Sequence, residues 1–399
     1  MSRITEYKRI LLSGFPFEAF TTDIWLLCIS NVIGAFGEGL YFWIFPLYVR
    51  SLQADFIQLG TVYSVLYGAA ALSPLLGGVL ADRFDRKRIL IAAWTPWIFA
   101  PLIYSFAGNW QQLIPGAACW GISMIGLPAL NAYVITSSGS KERLASVLSF
   151  VWAAYSFSYI FAPAIGSYLA VIIGMRWVLR LSTVLAAAAT IVFFFLHSQH
   201  PSRNVTEIQV NTVGSSERKR YLRKMLIWSI FFMVAEFFIY IARPYLPPFL
   251  SEQAGFNEIY VGVFGSINFA GATFITIAMG HLGDRWNETG AISFCLVLFL
   301  GATVPLLMFR ESVSLMMVAF LFGGSAAIPP LINAVVGKIA PRNEQGLWIS
   351  IPQTLGLLAA FAAPYLGGYF YTQSPYYTFI ASISAVPLLM AWALFRLKT

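Results

Sequence analysis

The sequence has few charged residues, three histidines and three cysteines. Asp, Glu, Lys and Arg make up 11% of its 399 residues, whereas about a quarter of an average soluble domain is charged. So few charges exclude a soluble particle of this size, and a hydrophobic content of 58% with a mean hydropathy of +0.72 indicates a bilayer as the solvent. Cys28, Cys119 and Cys295 all fall in apolar runs, which argues against a structural disulfide.

The apolar runs reach the roughly 20 residues that a membrane-spanning helix needs. A transmembrane barrel would instead alternate apolar and polar residues in shorter segments, and this sequence does not alternate. We therefore predict an all-α integral membrane protein with twelve transmembrane helices. The predicted spans are 22–48, 57–80, 88–107, 111–136, 145–172, 175–197, 224–250, 259–282, 290–309, 312–337, 347–371 and 376–395.

A six-residue phrase occurs twice in the chain. Gly78-Val79-Leu80-Ala81-Asp82-Arg83 returns 202 residues later as Gly280-His281-Leu282-Gly283-Asp284-Arg285. Three further groups of residues recur at nearly the same shift. Pro128, Asn131 and Ala132 return as Pro330, Asn333 and Ala334, Glu142 returns as Glu344, and Ala162-Pro163 returns as Ala363-Pro364. Self-similarity at a fixed period indicates a duplicated architecture. Six spans per half predict two parallel six-helix bundles related by a pseudo-two-fold axis along the membrane normal.

Most of the basic residues lie on one side of the predicted membrane, and the loops on the other side hold few, chiefly Arg50, Arg176 and Arg310. The majority precede span 1, follow spans 2, 4, 10 and 12, and fill the segment between the halves. The positive-inside rule makes that side cytoplasmic, so the net charge of +8 reflects topology and no nucleic-acid partner is expected. We predict a monomer in the plasma or inner membrane, with both termini inside. Its parts are a cytoplasmic N-terminal segment (1–21), an N-terminal bundle (22–197), a cytoplasmic linker (198–223) and a C-terminal bundle (224–399).

The repeated phrase resembles the hallmark loop of the major facilitator superfamily of secondary transporters, Gly-x-Leu-Ala-Asp-Arg-x-Gly-Arg-Lys. Residues 78–87 match it nearly throughout, but Asp85 stands where the family has Gly, and Asn287 takes the equivalent place in the second copy. Because Asp and Asn are the non-glycine residues that best tolerate the left-handed conformation, we expect the tight turn to survive both changes.

This resemblance implies transport by alternating access. It implies a central cavity lined by the first, fourth, seventh and tenth helices, and a loop that latches the cytoplasmic side of the outward-facing state. The implied latch residues are Gly78, Asp82, Arg83 and Arg86, with Asp284 and Arg285 as a weaker counterpart, since Glu288 replaces Arg86 in the second copy.

Three charged residues lie well inside predicted spans, where an ionised group costs roughly 2.5–3.5 kcal/mol or more without a partner or water. They are Glu38 in span 1 and Glu236 and Arg243 in span 7. Glu236 and Arg243 are seven residues, or roughly 10 Å, apart on one helical face, so they can face one cavity but cannot readily pair. We predict that Glu38 and Glu236 carry protons and that Arg243 binds substrate or modulates a carboxylate. Glu38 or the substrate could lie between the two span 7 charges.

Four further residues are candidate substrate contacts. Asn131 and Asn333 are symmetry-related amides after Gly and Pro interruptions in spans 4 and 10, and interhelical hydrogen bonding is the equal alternative for both. Among the many aromatic residues, only Tyr41 and Tyr240 share the faces of Glu38 and Glu236. Trp120, Trp152 and Tyr155 are interpreted as packed or lipid-facing.

The direction of transport rests on span 5. Ala162-Pro163-x-x-Gly166-Ser167 is similar to the Gly-Pro-x-x-Gly-Gly motif of the family's drug–proton antiporters, which favours export. Those antiporters commonly carry an Arg four residues before a Gly in the fourth helix, whereas Ala117 stands four before Gly121. The usual coupling arrangement is therefore absent or rebuilt, with Arg243 as one possible centre.

The residues favour proton-coupled export of small amphipathic or cationic compounds. The alternative is proton-coupled uptake or exchange of a small anionic solute held by Arg243. A membrane enzyme would need a cluster of nucleophilic or acid–base residues at depth, and His197, His200 and His281 all lie near span ends. We therefore expect a transporter and not an enzyme, with no metal and no cofactor.

Overall fold

The computed structural model describes residues 20–139, 143–200, 215–285, 287–340 and 345–396. The described residues form helices and connecting turns, and twelve helical segments are long and apolar enough to cross a membrane. They are Thr22–Phe42, Phe56–Arg83, Arg86–Phe106, Trp110–Ser137, Ser146–Ile173, Met175–Phe195, Tyr221–Glu252, Glu258–Arg285, Glu288–Met308, Ser312–Ile339, Trp348–Gln373 and Pro375–Leu394. These are spans 1 to 12 below, and they confirm the predicted fold class.

Polar residues between the spans start the helices. Thr21 caps span 1 by accepting a hydrogen bond from the amide of Ile24, and Asp55 forms a capping box with Gln58 at the start of span 2. Asp85, Asn109 and Asn287 cap the helical segments that follow them in the same way. Such caps satisfy backbone amides that a helix leaves without partners at its N-terminus.

Prolines interrupt several spans, because proline lacks an N–H and its ring clashes with the carbonyl four residues back. Span 1 ends at Phe42, six residues before its predicted end, and a short helix Phe45–Ser51 containing Pro46 follows. The other interrupted spans consist of these helices: Phe56–Ala70 and Ser73–Arg83, Ile114–Ser123 and Gly126–Ser137, Ser215–Ala242 and Leu246–Glu252, Ser312–Phe322 and Ile328–Ile339, and Pro375–Ser384 and Val386–Arg396.

Spans 3, 5, 6, 8, 9 and 11 are continuous helices: Arg86–Phe106, Leu144–Ile173, Met175–Val192, Glu258–Arg285, Glu288–Met308 and Gln345–Gln373. Single 3-10 turns are Trp110–Leu113, Phe193–Phe195, Arg243–Tyr245 and Gly323–Ala327. The helix of span 7 begins at Ser215, so the predicted linker 198–223 ends in helix, and its middle, residues 201–214, lies outside the described residues. The predicted domain boundaries stay predictions.

The two halves pack by the same scheme. In the first half, span 1 packs on spans 5 and 6, and span 2 packs on span 4; in the second half, span 7 packs on spans 11 and 12, and span 8 packs on span 10. Between the halves, span 2 packs on span 11 and span 5 packs on span 8. The repeated residues in spans 2, 4 and 5 thus have structural counterparts in spans 8, 10 and 11. Glu142, Glu344 and the basic residues before span 1 lie outside the described residues.

The described residues connect the halves mainly at one end. We call the end where span 1 begins and span 12 finishes the terminal end, and the other the opposite end. At the opposite end, the indole Nε1 of Trp43 donates to the carbonyl of Val261 at 2.9 Å, and the hydroxyl of Tyr245 donates to the carbonyl of Phe56 at 3.1 Å. Arg50 and Glu252 form an ion pair there, with 3.7 Å between Nη2 and Oε1. The molecule is therefore closed at its opposite end.

Candidate functional site

Glu38 is buried near the middle of the membrane. Its residue is 6% exposed, and its Oε1 accepts a hydrogen bond of 2.8 Å from the Nε1 of Trp120 in span 4. Trp97 of span 3 and Tyr159 of span 5 also lie beside the carboxyl group. Three neighbouring spans therefore supply polar aromatic groups to this one acid, and within the described residues no cation forms an ion pair with it.

An aromatic layer extends from Glu38 to span 7. Phe42 stacks on Trp120 with 5.7 Å between ring centroids, and Tyr67 meets the edge of Trp120 at 6.4 Å. Tyr67 also meets Tyr240 of span 7 at 4.7 Å, which links the two halves at mid-membrane depth. The layer consists of one residue from each of spans 1, 2, 4 and 7: Phe42, Tyr67, Trp120 and Tyr240.

Arg243 lies where the helix of span 7 breaks. The α-helix ends at Ala242, and Arg243 begins a 3-10 turn that Pro244 favours. Its Nη1 donates to the hydroxyl of Tyr240 at 3.2 Å, and the guanidinium lies 5.3 Å from the centre of the same ring. A cavity of about 20 Å³ adjoins it, between Phe42, Trp43, Pro46, Tyr63, Tyr67, Pro244, Pro247 and Phe269. A volume of this size holds one water molecule, so the region around Arg243 is tightly closed.

Glu236 is buried with few polar neighbours. It is 7% exposed, and its Cγ packs near Gly356 of span 11. In the described part of the chain, its carboxylate forms no hydrogen bond and no ion pair, including none with Arg243. The predicted separation of these two charges is thus found, and Tyr240 occupies the turn between them. Glu38 does not lie between them, since Trp120 holds it on the far side of the aromatic layer.

The remaining candidate contacts are scattered. Asn131 accepts a hydrogen bond of 3.1 Å from the Nε1 of Trp152 in span 5, which is the interhelical alternative. Its counterpart Asn333 is half-buried in span 10, toward the terminal end. Tyr41 packs in the core of the first half against Phe45 and Tyr104, away from Arg243 and Tyr240. Tyr41 lies about 100° from Phe42 around the helix, so its ring points away from the aromatic layer, and its role as a substrate contact stays a prediction.

The first copy of the loop phrase is only partly engaged. Asp82 and Arg83 are exposed, and a side chain added at Gly78 would meet nothing within 4 Å. Arg86 instead reaches the end of span 4, where its Nη1 donates to the carbonyl of Ala132 at 3.2 Å and to the hydroxyl of Thr136. The phrase thus fixes span 3 to span 4 within one half, while its acid and first arginine contact no residue of the other half among those described.

Asp85 preserves the tight turn by capping span 3. The prediction that Asp85 and Asn287 use their tolerance of the left-handed conformation is wrong. The φ of Asp85 is −56°, and that of Asn287 is −169°, so neither position needs the conformational freedom of glycine. Burial alone would raise the pKa of Asp85. The backbone amides of Gln199 and Lys87 donate to its Oδ1, and the nearby hydroxyl of Ser198 also stabilises the charged form; together they outweigh burial and hold the pKa below its usual range. Both residues replace glycine because a side-chain oxygen here satisfies amides at the start of the next span.

The second copy has a different contact at the equivalent place. Asp284 and Arg285 are exposed, as in the first copy. Glu288 is buried and pairs with Lys338 of span 10. Glu288 and Lys338 stand 202 residues after Arg86 and Thr136. The same helix-to-helix contact therefore occurs in both halves, as a hydrogen bond from Arg86 to a neutral hydroxyl in the first half and as an ion pair in the second.

The sequence comparison agrees with this architecture. The family model described as Major Facilitator Superfamily matches residues 27–322 and 228–399. The chain belongs to the major facilitator superfamily. The proteins of this family are transporters and not enzymes, and the chain is a multi-pass membrane protein with twelve apolar spans.

Several relatives cover nearly the whole chain. Multidrug resistance protein 2 of Bacillus subtilis is 24% identical over 92% of this chain and 95% of its own length, and multidrug resistance protein MdtG of Proteus mirabilis is 25% identical over 94% and 95%. Among solved structures, the nucleoside transporter NupG aligns with a TM-score of 0.76 at 15% identity, over 95% of this chain and 100% of its own. The peptide transporter POT in complex with sulfate aligns with a TM-score of 0.72 at 15% identity, over 93% of each chain. These structural likenesses show the shared fold.

Sequence reasoning left out the aromatic partners of the buried charges. Trp120, Tyr67 and Tyr159 were indistinguishable from other aromatics in a chain that is 16% Phe, Trp and Tyr. One signal was available for Trp120: it directly precedes Gly121, at mid-depth of a helix that the family resemblance places on the cavity. An indole N–H at that depth needs an acceptor, and Glu38 is the buried acceptor that it finds.

Proposed function

We propose that this transporter exports small amphipathic or cationic compounds in exchange for protons. The observation that carries the proposal is the pair of buried acids, Glu38 and Glu236, beside an aromatic layer that spans both halves. Aromatic faces attract cations, more strongly when water is excluded, and a buried carboxylate supplies the opposite charge. A site of this kind binds a lipophilic cation or a proton, but not both at once.

Because the cationic substrate and the proton compete for these acids, the flux of substrate would be coupled to the flux of protons. In this scheme Glu38 takes the proton that drives each cycle, and Trp120 orients its carboxylate. Glu236, which has no polar partner among the described residues, attracts the cationic substrate or shares the proton. Arg243 places a fixed positive charge near the two acids. This charge disfavours simultaneous binding of a cationic substrate and a proton, so the two bind in turn.

The closed opposite end suits an inward-facing state. The positive-inside rule puts the terminal end in the cytoplasm, and the halves are joined at the other end by the contacts of Trp43, Tyr245 and Arg50. We propose that Gly78, Asp82, Arg83 and Arg86, with Asp284 and Arg285, form the cytoplasmic latch after the molecule rocks outward. The exposure of Asp82, Arg83, Asp284 and Arg285 fits a latch that is released in this state. We further propose a monomer in the plasma membrane with both termini cytoplasmic.

The relatives support export. Both sequence relatives described above are named multidrug resistance proteins, and each is similar to this chain over nearly its whole length. At about a quarter identity they do not transfer a substrate, so the chemistry of Glu38, Glu236 and the aromatic layer defines the class that we propose.

A second function has one observation in its favour. Arg243 is a half-buried cation that forms no ion pair with any acid in the described ranges, and a small anion could pair with it. Uptake or exchange of an anionic solute would use Arg243 as the anchor, with Tyr240 as a further polar contact and Asn333 as a contact nearer the terminal end along the path. The structure of POT holds sulfate, but its identity to this chain is too low to place an anion here.

Transport by purified protein in liposomes distinguishes the two functions. The assay imposes a pH gradient and follows ethidium, as a lipophilic cation, and inorganic phosphate. We expect wild type to move ethidium against protons, and Glu38→Gln to abolish gradient-driven movement. Glu258→Gln, an exposed acid at the start of span 8, is the matched control and should transport normally. Phosphate flux that depends on Arg243, without cation flux, would establish the second function instead.

A further inference from the structure

A crevice lies outside the central region, at the terminal end of the first half. It encloses about 530 Å³, within the range of about 300–1,000 Å³ typical of small-molecule sites. Spans 2 and 3 form its walls and span 4 its floor. The lining residues are Leu80, Arg83, Phe84, Asp85, Arg88, Ile89, Ala92, Ala93, Ile122, Ile125 and His200.

The crevice is amphipathic along the membrane normal. Its deeper part is apolar, with Ile122 and Ile125 of span 4 facing Ala92 of span 3. Ile122 is 45% exposed and Ala92 is exposed as well, so these surfaces are open to whatever occupies the crevice. Its mouth, at the level of the loop between spans 2 and 3, carries Arg83, Arg88 and Asp85. A polar mouth above an apolar slot matches the shape of a membrane lipid.

The charges at the mouth favour an anion. Two arginines and one aspartate leave one positive charge, and His200 adds a polar ring. Both arginines are accessible to a ligand: Arg83 is exposed, and the side chain of Arg88, which pairs with Asp85, is 84% exposed. Basic pockets between transmembrane helices at the cytoplasmic surface are typical lipid-headgroup sites.

Asp85 adds a requirement for a hydrogen-bond donor. Its Oδ1 accepts amide hydrogen bonds from Lys87 and Gln199. Its Oδ2 is buried and accepts none, and it lies 3.9 Å from the Nε of Arg88, too far for a hydrogen bond. If Arg88 turns toward a phosphate, a hydroxyl of the same ligand can take the place beside Oδ2.

We propose that this crevice is a binding site for one phosphatidylglycerol molecule. The phosphate contacts Arg83 and Arg88, a headgroup hydroxyl donates to Asp85, and an acyl chain lies along Ala92, Ile122 and Ile125. A monoanionic lipid neutralises the excess charge, whereas a zwitterionic lipid leaves it uncompensated. The second half has lost these groups, because Asn287 and Gly290 stand 202 residues after Asp85 and Arg88.

Native mass spectrometry of the full chain in detergent tests this site, with phosphatidylglycerol, phosphatidylethanolamine and phosphatidylcholine as probes. We expect one phosphatidylglycerol to be retained in preference to the other two. Each cation near an anionic lipid is worth about 1 kcal/mol, so Arg88→Gln should weaken retention about fivefold. Ala92→Trp, which fills the slot without changing charge, should also remove it.

Arg285→Gln is the matched control, since Arg285 is the counterpart of Arg83 in the half that lacks the rest of the site. It changes the same charge at the same end and should leave retention unchanged. Monodisperse elution of each variant checks folding, and Arg88→Gln alone decides the case if Ala92→Trp does not fold. Equal retention of phosphatidylethanolamine, or equal losses in Arg88→Gln and Arg285→Gln, would overturn the proposal.

Discussion

At the scale of single residues, the buried charges are solvated by aromatic side chains. Trp120 donates to Glu38, and Tyr240 accepts from Arg243. An indole N–H or a phenol can satisfy one hydrogen bond of an ion without adding a full opposite charge, so the acid stays able to exchange a proton. A direct Glu–Arg pair would instead hold both groups in their charged forms.

Trp120→Phe tests this arrangement. The substitution keeps an aromatic ring in the layer but removes the donor to Glu38, so the carboxylate loses a hydrogen bond worth about 1.5–3 kcal/mol to its charged form. We expect the pH profile of proton-driven cation transport to move to higher pH, because the protonated form of Glu38 is favoured, with substrate binding largely retained. The pH dependence of transport in liposomes measures this. Trp152→Phe, which removes an indole bound to Asn131, is the control, and equal pH shifts in both variants would contradict the role of Trp120.

The sequence identified the charges of this site but not their partners. Glu38, Glu236 and Arg243 are found from the cost of burying an ion, which depends only on depth in a span. The rotation of spans 1, 3, 4 and 5 relative to one another decides which aromatic ring points at each charge. Hydropathy identifies the spans but does not predict this rotation. Tyr41 illustrates the difference, since it shares a helix with Glu38 yet packs against Phe45 and Tyr104.

At the scale of helices, the halves meet at two symmetric crossings. A Cβ added to Gly60 of span 2 would lie 2.3 Å from the carbonyl oxygen of Pro364 in span 11. A Cβ added to Gly262 of span 8 would lie 2.6 Å from the carbonyl oxygen of Pro163 in span 5. Both glycines permit helices to touch through their backbones. Both prolines belong to the repeated pair Ala162-Pro163 and Ala363-Pro364.

Gly262→Ala should push spans 5 and 8 apart. Contact at 2.6 Å with a backbone atom cannot be relieved by a side-chain rotation, so we expect the closed opposite end to loosen and the population to shift toward the outward-facing state. Protection of Trp43 and Val261 from hydrogen exchange would fall. Gly301→Ala in span 9, where an added Cβ meets nothing within 4 Å, is the control and should leave exchange unchanged or slightly slower.

Helix number and order follow directly from the sequence, whereas the interruptions in spans are harder to place. Proline stands near each of the breaks in spans 2, 4, 7, 10 and 12, yet Pro163 and Pro305 lie within continuous helices. Neighbouring helices decide between these outcomes, because packed neighbours can re-satisfy the backbone groups that a proline frees. The end of the helix at Ala242 therefore depends on Pro244 and on the packing of its neighbours, and it sets the position of Arg243.

At the scale of the whole molecule, closure of the opposite end is the feature that defines the state. Arg50 contributes there in three ways: it pairs with Glu252, its guanidinium lies 4.0 Å from the ring centre of Phe56, and it donates to the carbonyl of Ala54. Phe56 in turn meets Tyr371 of span 11 at 4.2 Å. One loop of the first half thus bridges to spans 7 and 11 of the second.

A cysteine pair tests whether this end must open. In a background where Cys28, Cys119 and Cys295 are replaced by Ala, Arg50→Cys with Glu252→Cys should be cross-linked by a reducible bismaleimide, whose spacer replaces the length of the two side chains that meet here. We expect the cross-linked protein to lose at least nine-tenths of its transport and to regain it when the spacer is reduced. Each single cysteine variant is the control and should keep its transport after treatment with the reagent. Full transport by the cross-linked protein would show that this end does not move.

The equivalent contacts at the start of spans 3 and 9 differ in charge, and this difference affects which helices can pair. Arg86 meets a neutral hydroxyl at Thr136, and Glu288 meets the ammonium of Lys338. A nascent span 3 that docked on span 10 would place Arg86 against Lys338, two like charges at the membrane surface. Span 9 docked on span 4 would bury Glu288 without a cation. The two halves therefore differ in charge at an equivalent contact, and this difference disfavours pairing of span 3 with span 10 or of span 9 with span 4.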